Sequence, residues 1–293
     1  MAVFERGAPK YLRRILPRCA ETFIFLLALS GCSSLVHLEQ ATSQFSSDEQ
    51  ASKQISYRGP NPEGIVNGKD IETSDPRSKL AILLLITRGS DLSVCTGVVI
   101  APRVILTAAH CLTQTEPKHV KVILNNRSGR APISESRQAD RIVIHEKYNG
   151  DPKSVSDLAL LHLAKSLPEA YKPVSLMQIG EKITGDSALL IGFGITGETK
   201  HDSMTLRETS KSFKTELHLK ETSIGIDQRT KTGGFCRGDS GAPVFADVEK
   251  QRKLIGINSF TVGLEKDREC HTASVAMLIP HFAGWIKNHA DLL

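Results

Sequence analysis

The sequence predicts an all-β fold, and three observations carry that expectation. Ten short apolar runs succeed one another between residues 80 and 279, several of them rich in Val, Ile and Leu, and runs of that length fit strands better than helices. The connectors between them carry Pro, Asn and Gly, which supply the fixed or positive φ that turns need. One helical pattern stands at the end, where Phe282, Trp285, Ile286 and His289 share a face over residues 281–292. A chain of 293 residues, 40% hydrophobic and 24% charged, has room for one large all-β unit or two smaller domains.

In chain order, residues 1–31 read as an export leader. Arg13, Arg14 and Arg18 precede a short apolar run, Phe23 to Leu29, well below the roughly 20 residues that span a bilayer. The run ends in Leu29-Ser30-Gly31-Cys32, which resembles the lipobox of bacterial lipoproteins. That resemblance implies cleavage before Cys32 and its lipidation, with enough acyl chains for a stable membrane anchor. It implies a bacterial cell-envelope address, the outer membrane preferred because Ser33 does not resemble the inner-membrane retention signal. Ordinary signal cleavage with Cys32 incidental is the alternative. The leader holds five Arg/Lys against two Glu, so of the net charge of +5 only +2 belongs to the remainder. No basic patch argues for a nucleic-acid partner.

Residues 32–64 read as a flexible pro-segment or tether. Positions 33–64 contain seven serines and four glutamines, and so little apolar surface cannot offset the entropy of ordering. Composition changes sharply at Ile65-Val66-Asn67-Gly68, where a folded domain over 65–293 begins. Its expected strands are Leu80–Ile86, Val94–Ile100, Val104–Leu106, Val120–Leu124, Arg141–Ile144, Leu158–Leu163, Ala188–Phe193, Phe213–Leu219, Leu254–Phe260 and Ala273–Ile279. Without Cys19 and Cys32, four cysteines remain, Cys95, Cys111, Cys236 and Cys270. In an exported chain they predict two disulfides, with three pairings open.

The chemistry concentrates in Phe235-Cys236-Arg237-Gly238-Asp239-Ser240-Gly241-Ala242-Pro243. Glycines on both sides of a serine let the backbone come close to a ligand and direct N–H groups at it. A serine hydroxyl becomes a nucleophile only when a base takes its proton. If Ser240 attacks a carbonyl, the N–H groups of Gly238 and Ser240 are candidates for stabilising the oxyanion. A glycine-rich turn with solvated side chains is the plain alternative, so the matter rests on a histidine and a buried acid elsewhere. Leu106-Thr107-Ala108-Ala109-His110-Cys111 closes one expected strand, and Ser156-Asp157-Leu158-Ala159-Leu160-Leu161 opens another.

These three stretches, in the chain order His, Asp, Ser, resemble the trypsin/chymotrypsin-type serine proteases. Ile65-Val66-Asn67-Gly68 resembles their mature N-terminus, Ile191-Gly192-Phe193-Gly194 their Gly-Trp-Gly turn, and Gly284-Trp285-Ile286 their closing helix. The likeness runs from Ile65 to Leu293. It implies two six-stranded antiparallel β-barrels with a C-terminal helix, and a serine endopeptidase acting on protein or peptide substrates as a monomer without cofactor or metal. Ser240 is then the nucleophile, His110 the general base and Asp157 the orienting carboxylate. The likeness pairs Cys95 with Cys111 and Cys236 with Cys270. Ser259 would bind Asp157, though a strand serine bonded to backbone is an equal reading. His145 and His162 are expected to play no catalytic part. The loop 124–130, a calcium site in some relatives, is basic here and expected to bind none.

Asp239 and Ile65 imply a zymogen: cleavage after Gly64 would free an α-amino group to pair with the Asp239 carboxylate. Specificity rests on Gly234, six residues before Ser240, where cleavage after Arg or Lys would want an acid. Phe235 beside it is bulky, and Thr261 and Ser274 stand at wall positions that are glycine in deep pockets. The expectation is cleavage after small or medium uncharged residues. Ala242 departs from the family, which has a glycine there. A non-catalytic protease homologue acting as a binding module is the alternative function; such proteins usually lose a triad member, and none is lost here.

Overall fold

The computed structural model describes residues 65–124, 135–151, 153–263 and 270–290. The leader, the tether, Cys32 and the 125–130 part of the basic loop lie outside them. The described residues form fourteen strands and two α-helices: β1 (Lys69–Asp70), β2 (Ile82–Arg88), β3 (Asp91–Ala101), β4 (Val104–Thr107), α1 (Ala109–Leu112), β5 (Val120–Ile123), β6 (Ser136–Ile144), β7 (Ala159–Leu163), β8 (Ile183–Gly192), β9 (Arg207–Ser212), β10 (Leu217–Leu219), β11 (Ser223–Asp227), β12 (Pro243–Val248), β13 (Gln251–Val262), β14 (Ala273–Leu278) and α2 (Ile279–His289).

The six strands β2-β3-β4-β7-β6-β5 close into a barrel, and the rest form one eight-stranded sheet ordered β1-β9-β8-β12-β13-β14-β11-β10. The all-β class, the six-stranded barrel and the closing helix are as expected. The second half differs in detail: it is a curled half-barrel of eight strands. Its pairing begins with the two-residue β1 on β9, Lys69 opposite Glu208.

Strand β2 shows why the barrel sits where it does. Ile82, Leu84 and Ile86 join a core with residues of all six barrel strands, among them Val99, Ile105, Val122, Ala139 and Leu161. Leu83 and Leu85, on the opposite pleat, join a second core with Phe193, Phe245, Leu254 and Ile257 of the sheet and Phe282 and Ile286 of α2. Successive side chains point to opposite faces of a strand, so an unbroken apolar run implies cover on both. The barrel interior covers one face and the seam between barrel and sheet covers the other. A third core fills the sheet's concavity, with Ile65, Leu190, Ile226, Phe235, Ala242 and Val244.

Several expected strands shift. The run Phe213–Leu219 is a turn followed by β10, with Phe213 N–H bonding the Asp186 carbonyl at 2.9 Å. Strands β9, β11 and β12 carry Thr, Ser, Lys, Asp and Pro, and their apolar runs are too short to stand out. The helix begins at Ile279, where Pro280 fits the first turn without needing a donor. His145 is buried: its ring stacks against Trp285 at 4.8 Å and meets Phe282 edge-on at 5.5 Å.

Candidate active site

Antiparallel pairing of β4 with β7 brings His110 and Asp157 together. Thr107 at the end of β4 lies opposite Ala159 at the start of β7. The turn leaving β4 and the turn entering β7 therefore meet at one end of the barrel. The fully buried Asp157 carboxylate accepts the His110 backbone N–H at 2.9 Å through Oδ1 and bonds the ring Nδ1 at 2.8 Å through Oδ2. Two bonds to one residue fix both the position and the rotation of the imidazole. Arg88 of β2 steadies the same turn, its Nη2 donating to the Cys111 carbonyl at 2.6 Å. Carbonyls at a helix C-terminus lack intrahelical partners, and a cation suits them.

Ser259 reaches the pair from the sheet, and its hydroxyl donates to Asp157 Oδ2. The reason is a register shift: Asn258 faces Ala276 and Phe260 faces Val275, which leaves Ser259 as the extra residue of a bulge. A bulge re-aims a side chain, and this one turns it across the seam to the barrel.

Ser240 lies in the connection from β11 to β12. Its carbonyl accepts the Thr96 N–H at 2.8 Å, and the Cys111 sulfur lies 3.8 Å from that carbonyl and 3.9 Å from His110 Nε2. One atom thus touches both the imidazole and the Ser240 backbone. Among the described residues no hydrogen bond joins the Ser240 hydroxyl to the ring. Thr96 is a residue the sequence reading missed. Its hydroxyl donates to the Gly238 carbonyl at 2.9 Å and accepts the Phe193 N–H at 3.2 Å, while Asn258 Nδ2 donates to the Asp239 carbonyl at 2.8 Å. A polar residue inside the apolar run of β3 was the only signal.

With those carbonyls held, the loop's amides divide into two sets. Asp239 N–H bonds Cys236, Gly241 N–H bonds Asn258 and Ala242 N–H bonds Asp239. The N–H groups of Gly238 and Ser240, both only partly buried, have no acceptor among the described residues. Gly238 at φ +95° and Gly241 at φ +82° make this path possible. A methyl group on Gly241 would collide with the Thr107 hydroxyl and the Thr96 carbonyl.

Asp239 points away from Ser240 and is fully buried. Its carboxylate accepts Gly194 N–H at 2.7 Å and Cys236 N–H at 2.9 Å. Burial pushes its pKa up to about 7, against the opposing pull of those two bonds. Gly192 and Gly194 make room for it, since a side chain at either would strike its oxygens. Ile65 is buried in the same core as Ala242, and the Val66 carbonyl accepts Gly234 N–H at 3.2 Å.

The four expected specificity positions cluster only in part. Thr261 and Ser274 are register partners on β13 and β14. Gly234 leaves no space for a side chain, because Gln228 lies against it and donates to the Phe235 and Cys270 carbonyls at 2.9 and 2.7 Å. Phe235 is fully buried with Ile65 and Ile226. Both disulfides form as the resemblance implied, Cys95–Cys111 and Cys236–Cys270. Cys95, Cys111 and His110 cluster tightly, but both sulfurs are spent in the disulfide, so no thiolate is left there for a metal.

The trypsin family model matches residues 69–286. Trypsin of Simulium vittatum is 27% identical over 212 residues, covering 68% of this chain and 83% of its own. Chymotrypsin of Phaedon cochleariae is 27% identical over 242 residues, 78% of this chain and 82% of its own. Chymotrypsin-like elastase family member 1 of Canis lupus familiaris is 24% identical over 241 residues, 76% and 91% respectively.

Proposed function

The chain belongs to the trypsin family, and from that premise we propose that it is a serine endopeptidase working through Ser240, His110 and Asp157. The observation that carries the reading is the His110 ring, held at Nδ1 by a buried carboxylate with Nε2 beside the nucleophile loop. Nε2 takes the Ser240 proton as Oγ bonds the scissile carbonyl carbon, and the resulting oxyanion is met by the free N–H groups of Gly238 and Ser240. The C–N bond then breaks, the leaving amine takes the proton from Nε2, and an acyl-enzyme remains. Water attacks that ester by the same proton path, which restores Ser240. Asp157 holds the tautomer and stabilises the imidazolium, and Ser259 holds Asp157.

The enzyme is exported as a zymogen. Cutting after Gly64 frees the Ile65 amine, which pairs with Asp239 and secures the oxyanion loop. Ile65 sits buried beside Ala242 in the uncut chain, and its φ of +42° is strained for a β-branched residue. Cleavage makes Ile65 a chain end and releases that constraint. Residues 33–64 hold no cysteine, so the same cut parts the domain from a lipid on Cys32 and releases it from the envelope. Among the specificity positions, Gly234 offers no counter-charge for Arg or Lys, and paired Thr261 and Ser274 narrow the pocket. Small or medium uncharged residues are the favoured targets.

A fluorophosphonate probe tests the reading. The cleaved protein is expected to be labelled, and Ser240→Ala is expected to lose all labelling. Absence of labelling in the cleaved wild type would leave the binding-module reading in its place.

A further inference from the structure

Beneath the Gly192–Gly194 turn lies a guanidinium that the mechanism above does not use. Arg207, at the start of β9, is fully buried. Its Nη1 donates to the Asp202 carbonyl at 3.0 Å, the Gly194 carbonyl at 3.3 Å and the Thr205 carbonyl at 3.4 Å. Its Nε donates to Asp70 Oδ1 at 2.9 Å. Nη2 is buried with no hydrogen bond among the described residues, and Asp202 Oδ2 lies 3.8 Å from it. A fully buried cation is costly unless opposite charge and acceptors surround it, so its position calls for a reason.

Gly194 supplies one. Its N–H donates to Asp239 and its carbonyl accepts from Arg207. The two buried side chains thus grip one residue from opposite sides; burial raises the Asp239 pKa, and the Arg207 charge is a smaller influence in the other direction. In the uncut chain Ile65 still carries a peptide bond and offers no ammonium. Even so, Asp239 is seated on Gly194 and Cys236, and the N–H groups of Gly238 and Ser240 stand without acceptors among the described residues.

We propose that Arg207 is a positioning residue that serves Asp239 as an internal counter-charge before activation, so that the uncut chain is already a slow protease. This rests on the serine-protease reading given above. Cleavage adds a second cation from Ile65 and makes the enzyme faster and independent of Arg207. The surroundings have capacity for that cation, because Asp70 and Asp202 stand beside the guanidinium as well.

The test uses full-length protein with a specific-protease site placed so that cutting leaves Ile65 first, the N-terminus being sequenced before and after. Fluorophosphonate labelling rates are measured for wild type, Arg207→Lys and Arg207→Met, each uncut and cut. Uncut wild type is expected to label measurably, uncut Arg207→Met roughly 10- to 100-fold more slowly, the range for losing a hydrogen-bonded charge, and uncut Arg207→Lys close to wild type. After cutting, all three are expected to agree within about threefold, since the new ammonium takes over. The proposal is overturned if uncut wild type does not label, if uncut Arg207→Met labels like wild type, or if Arg207→Lys is as slow as Arg207→Met. Persistence of the Arg207→Met defect after cutting would equally overturn it, by showing a merely structural role. Failure of cut wild type to label is a different result, and it removes the protease reading itself.

Discussion

Asp239 gives the molecule a pH dependence that the proposed pairing with Ile65 is expected to change. In the uncut chain its pKa is raised to about 7, burial being the main cause. Its unfolded value is near 3.9. The folded state therefore holds the proton more tightly than the unfolded state. The stability this contributes is complete below about pH 4 and is lost as pH rises to about 7, on the order of 4 kcal/mol over the window. On the proposed pairing, an ammonium at Ile65 would lower the folded pKa and remove that loss. Urea unfolding of cut and uncut protein at pH 5 and pH 8 is expected to show the cut form gaining relative stability at pH 8; an unchanged difference would contradict the pairing. Thr96→Val isolates the clamp on the nucleophile loop. It keeps the backbone bond to Ser240 but removes the hydroxyl's two bonds to Gly238 and Phe193. At about 1 kcal/mol per bond, kcat is expected to fall roughly tenfold or more with little change in KM, because the oxyanion donors act on the transition state. His110, Asp157, Ser240 and Asp239 could be singled out in the sequence because each sits in a contiguous motif. Thr96, Gln228, Asn258 and Arg207 could not, because each acts on backbone carbonyls, and a side chain bonded to backbone leaves no residue-type pattern.

At the scale of elements, the short α1 carries His110 and is tied on both sides, by Arg88 at its carbonyl end and by Cys111 to Cys95 of β3. The bridge closes a loop of 16 residues, for which about 3 kcal/mol of stabilisation is expected. Replacing both cysteines with alanine should lower the denaturation free energy by about that amount. It should also cost activity, since the Cys111 sulfur lies against both His110 Nε2 and the Ser240 carbonyl. A double mutant with lower stability but undiminished kcat would show that Asp157 alone places the ring. Strands covered on both faces, such as β2 and β7, could be read directly, because burial on both pleats demands an unbroken apolar run. Strands β9 and β11 could not. Each buries only alternate or isolated positions, and β9 spends two of its buried positions on Arg207 and Lys211. Lys211 pairs with Glu216 and donates to the Asp227 carbonyl at 2.8 Å, a long-range partnership that hydropathy does not register. The bulge at Ser259 was invisible for a related reason: a one-residue shift in register depends on the partner strand.

Across the whole molecule, the candidate site is a property of the seam. His110 and Asp157 come from the barrel and Ser240 from the sheet, and three bonds cross between the two halves there: Ser259 to Asp157, Thr96 to Ser240 and Thr96 to Gly238. Beneath them the shared core runs without a break from Leu83, Val98 and Leu106 of the barrel to Ile191, Phe245 and Ile257 of the sheet, and α2 closes it with Phe282 and Ile286. Neither half could part from the other without exposing that core, at roughly 25 cal/mol for each Å² of apolar surface. The site and the fold should therefore fail together. Denaturant titration of the cut enzyme is expected to give one transition, with loss of fluorophosphonate labelling at the same midpoint as loss of Trp285 fluorescence, although Trp285 stands on α2 beside His145 and not in the triad. Coincidence of probes is the mark of a two-state transition. If labelling disappeared at a clearly lower denaturant concentration than the fluorescence change, the nucleophile loop would be opening on its own, and the seam would be a hinge instead of a single cooperative core.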